Sequence, residues 1–124
     1  MPVPILTHGS YLIASIQSAL TDSEVLELRD DLADRIGRHR ARGVIVDVAA
    51  MDVIDSFAAR SLRAIALMAR LRGAATVIVG IQPDVAVAMV QFQLNLDPLQ
   101  TALDLDEAFA LLDGRTMGRE RHGR

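Results

Sequence analysis

The sequence predicts an α/β fold with a mainly parallel central sheet of about five strands and about four helices. Three observations lead there. Short β-branched runs alternate with segments whose apolar residues recur at helical spacing. The runs Val44-Ile45-Val46-Asp47-Val48 and Ala75 to Val79 are apolar on both alternating sets, as strands covered on two faces must be. Three helical segments also open on residues that satisfy free backbone N–H groups and the other opens on proline, and strands joined through helices run parallel with right-handed crossovers.

The elements follow in order. Ile5 to His8 and Tyr11 to Ile16 are β-rich and broken at Gly9-Ser10, which suits a hairpin or a bent edge strand. Thr21-Asp22-Ser23-Glu24 matches a capping box, and Val25, Leu28, Leu32 and Ile36 set the buried face of a helix over about 22–41 that Gly43 ends. Its other face pairs Asp31 with Arg35 and Asp34 with Arg38, acid first and four residues apart.

After the central strand 44–48, a loop through Met51 and Asp52 leads to a second helix near Asp55-Ser56. Ala58, Leu62, Ile65 and Ala69 form its buried stripe, Arg60, Arg63 and Arg70 lie opposite, and Gly73 closes it. Strand 75–79 leads through Gly80-Ile81-Gln82-Pro83-Asp84 into a third helix, with Pro83 in its first turn. Val85-Ala86-Val87-Ala88-Met89-Val90 is apolar right around the cylinder, so either the fold surrounds this helix or another subunit does. A short last strand is expected from Leu96 to Ala102, and Asp104-Leu105-Asp106-Glu107 signals a short helix over Ala108 to Leu112.

The 124 residues fit one domain, placed at 1–112, with 113–124 expected to be a flexible, Gly- and Arg-rich tail. Residues 1–112 carry 9 Arg and 14 acids, a balance of −5, whereas 113–124 carry 4 Arg and 2 acids, a balance of +2. With 51% hydrophobic but only 3% aromatic residues, the core must be built from Ala, Val, Ile and Leu. There is no apolar run of the roughly 18–20 residues that a membrane helix needs, and no signal-type N-terminus, so a cytoplasmic protein without membrane contact is expected.

Composition also removes chemistries. There is no cysteine, hence no disulfide, thiolate nucleophile or cysteine-held metal. All 13 basic residues are arginine, which excludes a P-loop lysine, a Schiff-base lysine and the lysine of a phospho-aspartate site. A net charge of −3 speaks against direct, non-specific DNA binding, which needs a basic surface to displace counterions. His8, His39 and His122 are scattered and show no metal-ligand spacing.

What remains is the group Asp47, Asp52, Asp55 and Ser56, between the carboxyl end of a buried strand and a helix start, where open α/β sheets bind ligands. The three acids could hold Mg²⁺ or accept a phosphoryl group, but the paired acids and lysine of a response-regulator receiver are missing. Asp55-Ser56-Phe57-Ala58-Ala59 lacks the glycines of a nucleophile elbow. No cofactor, metal or catalytic residue is therefore assigned, and the chain is expected not to be an enzyme. Local mechanics favour Ser56 as a helix cap. The other reading makes it a phosphoacceptor, whose phosphate would add about −1.5 to −2 charges beside Asp52 and Asp55.

Several segments resemble the STAS domain of anti-sigma-factor antagonists, and within it the RsbS-type scaffold branch of the bacterial stressosome. They are Pro4-Ile5-Leu6 with Ile13-Ala14-Ser15-Ile16-Gln17, the run from Gly43 to Asp47 leading into Ile54-Asp55-Ser56-Phe57, Gly80-Ile81-Gln82-Pro83 with Val85-Ala86-Val87, and Thr101-Ala102-Leu103-Asp104-Leu105. Together they span about residues 3–112. Phe57-Ala58-Ala59 stand where general antagonists follow Asp-Ser with a small hydroxyl residue and glycine, which favours the scaffold branch.

The resemblance implies a STAS-type fold and a negative regulator of a general stress response. Such a protein self-associates, co-assembles with a sensor-bearing STAS paralogue into a large complex, and sequesters a serine/threonine kinase of the partner-switching type. Ser56 would be the phosphoacceptor, with Asp52, Asp55, Phe57 and Arg60 forming the partner-binding surface around it. Its phosphorylation would release the kinase and lead to activation of an alternative sigma factor. The alternative within the same family is a free anti-sigma-factor antagonist regulated by serine phosphorylation.

Overall fold

The computed structural model describes residues 3–122, with side chains described over 3–114. The elements are β1 (Ile5–His8), β2 (Tyr11–Ser15), α1 (Asp22–His39), β3 (Gly43–Asp47), α2 (Ser56–Leu71), β4 (Ala75–Val79), α3 (Pro83–Gln91), β5 (Gln100–Ala102) and α4 (Leu105–His122). Five strands form one sheet in sequence order, β1-β2-β3-β4-β5. β1 and β2 pair antiparallel across the Gly9-Ser10 turn, while β2 to β5 run parallel. The expected architecture is observed.

Strand alternation divides the core into two layers. Leu12, Ala14, Val44, Val46 and Ile78 face α1, α2 and α3, and meet Leu32, Ile36, Leu62 and Ile65 there. Tyr11, Ile13, Ile45, Val77 and Val79 face the opposite side and meet Ala108 and Leu112 of α4. Both faces of β3 are therefore dry, which explains its unbroken apolar run. A side chain such as Ile45 contributes about 1.5–3 kcal/mol by this burial. The Tyr11 hydroxyl donates to the Asp113 carboxylate, and Phe109 stacks on His8 with ring centroids 4.7 Å apart, so α4 is fixed at the β1–β2 edge as well.

Three expectations are corrected in detail. Arg40, in the left-handed region, ends α1, and its N–H donates to the Ile36 carbonyl. Gly43 instead opens β3, where a Cβ would lie 2.8 Å from a Leu112 methyl; its place is explained by the close approach of α4. β5 is only three residues long, because Leu96 to Leu99 turn away from the ladder: the Asn95 side chain accepts from the Asp97 N–H, and the Leu99 N–H donates to the Leu96 carbonyl. α4 is longer than Ala108–Leu112 and crosses the expected boundary at 112, with Asp104 accepting from the Glu107 N–H at its start. The side chains from 115 onward, including the expected tail's arginines and His122, lie outside the described residues.

For α3, which the sequence leaves open between cover by the fold and cover by another subunit, the domain itself does not surround the helix. Only Val85 and Met89 are buried, while Val87, Val90 and the adjoining Phe92 are 58%, 78% and 74% exposed.

Candidate functional site

The carboxyl ends of β2, β3 and β4 lie level, with Ser15, Asp47 and Val79 in register. The loop leaving β3 at this edge is held by its own groups. The Asp47 carboxylate accepts from the Ala49 N–H at 2.9 Å, and the Met51 N–H donates to the Val48 carbonyl. Met51 and Ile54 are buried and anchor the loop, whereas Val53 between them is 67% exposed.

The loop is also gripped from β4. Gly80 has φ +81°, and a Cβ there would stand 3.0 Å from the Ala49 Cβ, so this crossing requires glycine for both conformation and space. Two residues on, the Gln82 amide donates to the Ala49 carbonyl at 2.8 Å and reaches the Asp52 carboxylate at 3.5 Å. The Gly-Ile-Gln-Pro segment thus sets the position of the loop that presents Ser56.

Asp55, with extended backbone, is the N-cap of α2, and its carboxylate accepts from the Ala58 N–H at 2.8 Å. Ser56 is the first helical residue. The expectation that Ser56 caps the helix is therefore corrected: of two adjacent residues suited to the task, the acid occupies the capping position. The Ser56 side chain is exposed, and its hydroxyl has no hydrogen-bond partner among the described residues. Without a base bonded to it, the hydroxyl is not activated as a nucleophile.

Ser56 lines a groove of about 490 Å³ between the start of α2 and α3. Asp52, Asp55 and Asp84 supply carboxylates on its walls, and Val53, Val85 and Phe92 supply apolar surface. Of the sequence-predicted residues, Asp52 and Asp55 join Ser56 here. Phe57 is half-buried and lines a smaller cavity of about 100 Å³ with Ile16, Leu20 and Val25. Arg60 is exposed, one helical turn beyond Ser56. Asp47 is engaged in its own turn, and among the described residues no three His, Asp or Glu side chains are grouped to hold a metal ion.

Sequence reasoning missed Val53, Asp84 and Phe92 as parts of this groove. Two signals were available. Met51, Val53 and Ile54 give one short loop more large apolar side chains than it can bury, and Phe92 continues the helical spacing of Val85 and Ala88 on α3. Among the described residues, no helix is long and apolar enough to cross a membrane.

No curated protein matches this sequence. Among solved structures, the chain is similar to a serine-to-glutamate variant of RsbS from Moorella thermoacetica, with 30% identity over 93% of this chain and 97% of that one and a TM-score of 0.76. It is also similar to a chain of the stressosome, described as a signal integration and transduction hub, with 32% identity over 91% of this chain and 98% of that one and a TM-score of 0.76. The anti-sigma factor antagonist SpoIIAA in its unphosphorylated form shares the fold, at 13% identity over 90% of this chain and 96% of that one and a TM-score of 0.68. The STAS domain model matches residues 3–108, and with the sheet, helices and loop crossing described above, the chain belongs to the STAS domain family.

Proposed function

We propose that this chain is a non-catalytic scaffold subunit of a stressosome and a negative regulator of a general stress response. It sequesters a serine kinase of the partner-switching type in the cytoplasm, together with sensor-bearing STAS paralogues. Phosphorylation of Ser56 releases the kinase, which leads to activation of an alternative sigma factor. The observation that carries this reading is the free, exposed hydroxyl of Ser56 at the first position of α2, inside a groove walled by both carboxylates and apolar side chains.

The physical logic is one of charge. A neutral serine leaves the apolar surface of Val53 and Phe92 usable by a partner. A phosphate adds about −1.5 to −2 charges next to Asp52, Asp55 and Asp84, and a partner seated on the neutral form then faces repulsion and lost packing. The N-terminus of α2 and Arg60 offset part of this within the chain itself, so the fold tolerates the modification. The exposed flank of α3 supports self-association into dimers and a larger assembly.

The test is to incubate the protein with its cognate kinase and ATP and to map the phosphate. Ser56 is expected to be modified, Ser56→Ala to retain the kinase, and Ser56→Asp to bind it at least tenfold less well. Phosphate found elsewhere, with Ser56 unmodified, overturns the reading. Elution with the paralogue as a very large assembly separates a scaffold from a free antagonist, which stays small.

A further inference from the structure

Charge along the chain is sorted by element. Residues 56–72, which make up α2 and its end, carry four arginines and no acid, whereas residues 73–114 carry six acids and no basic residue. Among the described residues the ion pairs all lie within α1, so the arginines of α2 are left without a carboxylate partner. A chain of net charge −3 thus presents one basic surface and one acidic surface, and neither neutralises the other within the domain.

Each surface also holds apolar side chains in water. On α2, Leu67 and Leu71 fall on the outward stripe with Arg60 and Ala64, and Leu71 is 88% exposed, with Arg70 exposed beside it. This stripe is a convex knob. Its acidic counterpart is concave: a groove of about 530 Å³ between α3 and the end of β5, lined by Ala86, Val90, Leu94, Leu96, Leu103 and Glu107 among others. Val90 and Leu103 are 78% and 81% exposed on its walls, Glu107 is its one charged lining residue, and Asp104 and Asp106 are exposed next to Glu107 and Leu103 in sequence. Large apolar side chains at such exposure mark an interaction surface, and the shortage of charge inside the groove is that of an interface core.

We propose that the groove receives the α2 knob of a second copy of this chain. Leu67 and Leu71 enter its apolar floor, while Arg70 pairs with Glu107 and the acids beside it. Charge complementarity selects this occupant, because a second copy of the groove face would set Glu107 and its neighbouring acids against their own counterparts. The two surfaces lie at opposite ends of the parallel strands, since Leu71 precedes the start of β4 and Leu103 follows the end of β5. The contact is therefore heterologous, head to tail: each added copy brings a free knob or groove for the next, and the product is a ring or a growing chain. Leu71 lies 15 residues along α2 from Ser56, about 22 Å at 1.5 Å per residue, and the groove occupies the side of α3 away from Asp84 and Phe92. Ser56 thus stays open in the assembly. The contact rests on the self-association proposed above and not on the phosphorylation of Ser56.

The experiment is sedimentation velocity on the full chain, purified alone. The parent should form species larger than a monomer that grow with protein concentration and dissociate at high salt. Leu71→Asp spoils the knob and Val90→Asp the groove, both at exposed positions, so each variant should be monomeric with the melting temperature of the parent. Mixed in equal amounts they should form a one-to-one dimer, because each keeps the half that the other lacks. Arg70→Glu and Glu107→Arg should each weaken association at least tenfold, and their mixture should recover a dimer through the exchanged charges. A monomeric parent, folded single variants that fail to pair on mixing, or a Leu71→Asp variant that associates like the parent overturns the proposal; the last result assigns the α3 face to a two-fold contact instead. Labelling of Ser56 by its kinase in the same samples reports on the scaffold reading by itself: a monomeric parent that is still labelled strikes this contact and leaves that reading standing.

Discussion

The starts of α1 and α2 are written in similar letters, a hydroxyl residue beside an acid, and are built to opposite ends. At α1, Thr21 Oγ1 accepts from the Glu24 N–H and Glu24 Oε1 accepts from the Thr21 N–H, at 3.2 and 3.0 Å. Thr21 and Glu24 thus satisfy each other's groups, and Ser23 Oγ stands 3.3 Å from Thr21 Oγ1. At α2, Asp55 alone satisfies the helix, no acid follows in the first turn, and Ser56 is left with a free hydroxyl. The first start is held by local bonds, whereas the second is positioned by Gly80 and Gln82 from the next strand. A helix start that consumes its own polar groups is structural, and one that leaves a hydroxyl over has something to present.

The largest expected effect breaks the comparison at its most visible point. Ser23 and Ser56 are both exposed serines near helix starts. In a kinase reaction followed by mass spectrometry, incorporation at Ser56 should exceed that at Ser23 by a hundredfold or more, about 2.7 kcal/mol in transition-state terms. Equal labelling would show that local exposure alone selects the site and that the groove of Asp52, Val53 and Phe92 adds nothing.

Next in size is Gly80→Ala. It places a side chain at φ +81° and 3.0 Å from Ala49, and should cost about 2 kcal/mol from backbone strain and the shifted loop together. The same variant should slow phosphorylation of Ser56 more than its loss of stability explains, because the loop carries the start of α2. No substitution outside α1 and its box should move Thr21 in this way. Thermal melts and initial phosphorylation rates check the two halves.

How much of this was legible in the sequence follows the same division. The capping box of α1, the double-sided strands β3 and β4, and the crossover pattern were readable, because each depends on contacts within a few residues or on the period of one strand. The α2 start was located but its roles were interchanged: Asp55 and Ser56 both suit a cap, and only backbone geometry decides which one is extended. By local pattern Gly43 is a helix stop, although its glycine is required by Leu112, almost seventy residues away. The groove itself depends on Phe92 meeting the start of α2 across the fold, which no local pattern encodes. The apolar circumference of α3 was legible as a demand for cover, and the domain leaves that demand unmet.

The caps themselves give a smaller and paired effect. Asp55→Ala removes a charge-assisted bond of 2.8 Å to the Ala58 N–H, and should cost about 1–2 kcal/mol. Thr21→Ala removes a neutral bond of 3.2 Å and should cost about 0.5–1 kcal/mol. At roughly 4 °C per kcal/mol for a domain of this size, calorimetry separates them. A larger loss at Thr21 would mean that α1, not α2, has the more demanding start.

The smallest effect is a pH dependence that only α1 should show in the unmodified protein. The Thr21 backbone N–H donates to the Glu24 carboxylate and, with the Thr21 side chain, holds its pKa below the ordinary 4.5. A carboxyl depressed by folding stabilises the native state above its unfolded pKa, and that contribution is lost as pH falls through the lower, folded value. The melting temperature of Glu24→Gln should therefore lie below that of the parent protein at pH 7, with a constant gap down to about pH 5. Below pH 4.5 the gap should narrow and close, since the parent then carries a neutral carboxyl as well. Phosphorylated protein adds a contrast at the other helix: a phosphate on Ser56 has its second ionisation near pH 6, so the α2 start should acquire a pH response in a window where α1 is silent. A gap for Glu24→Gln that changes between pH 5 and 7 in unmodified protein would show that the box at α1 is coupled to a group titrating in that range, and Thr21 would no longer be the main cause of the low Glu24 pKa.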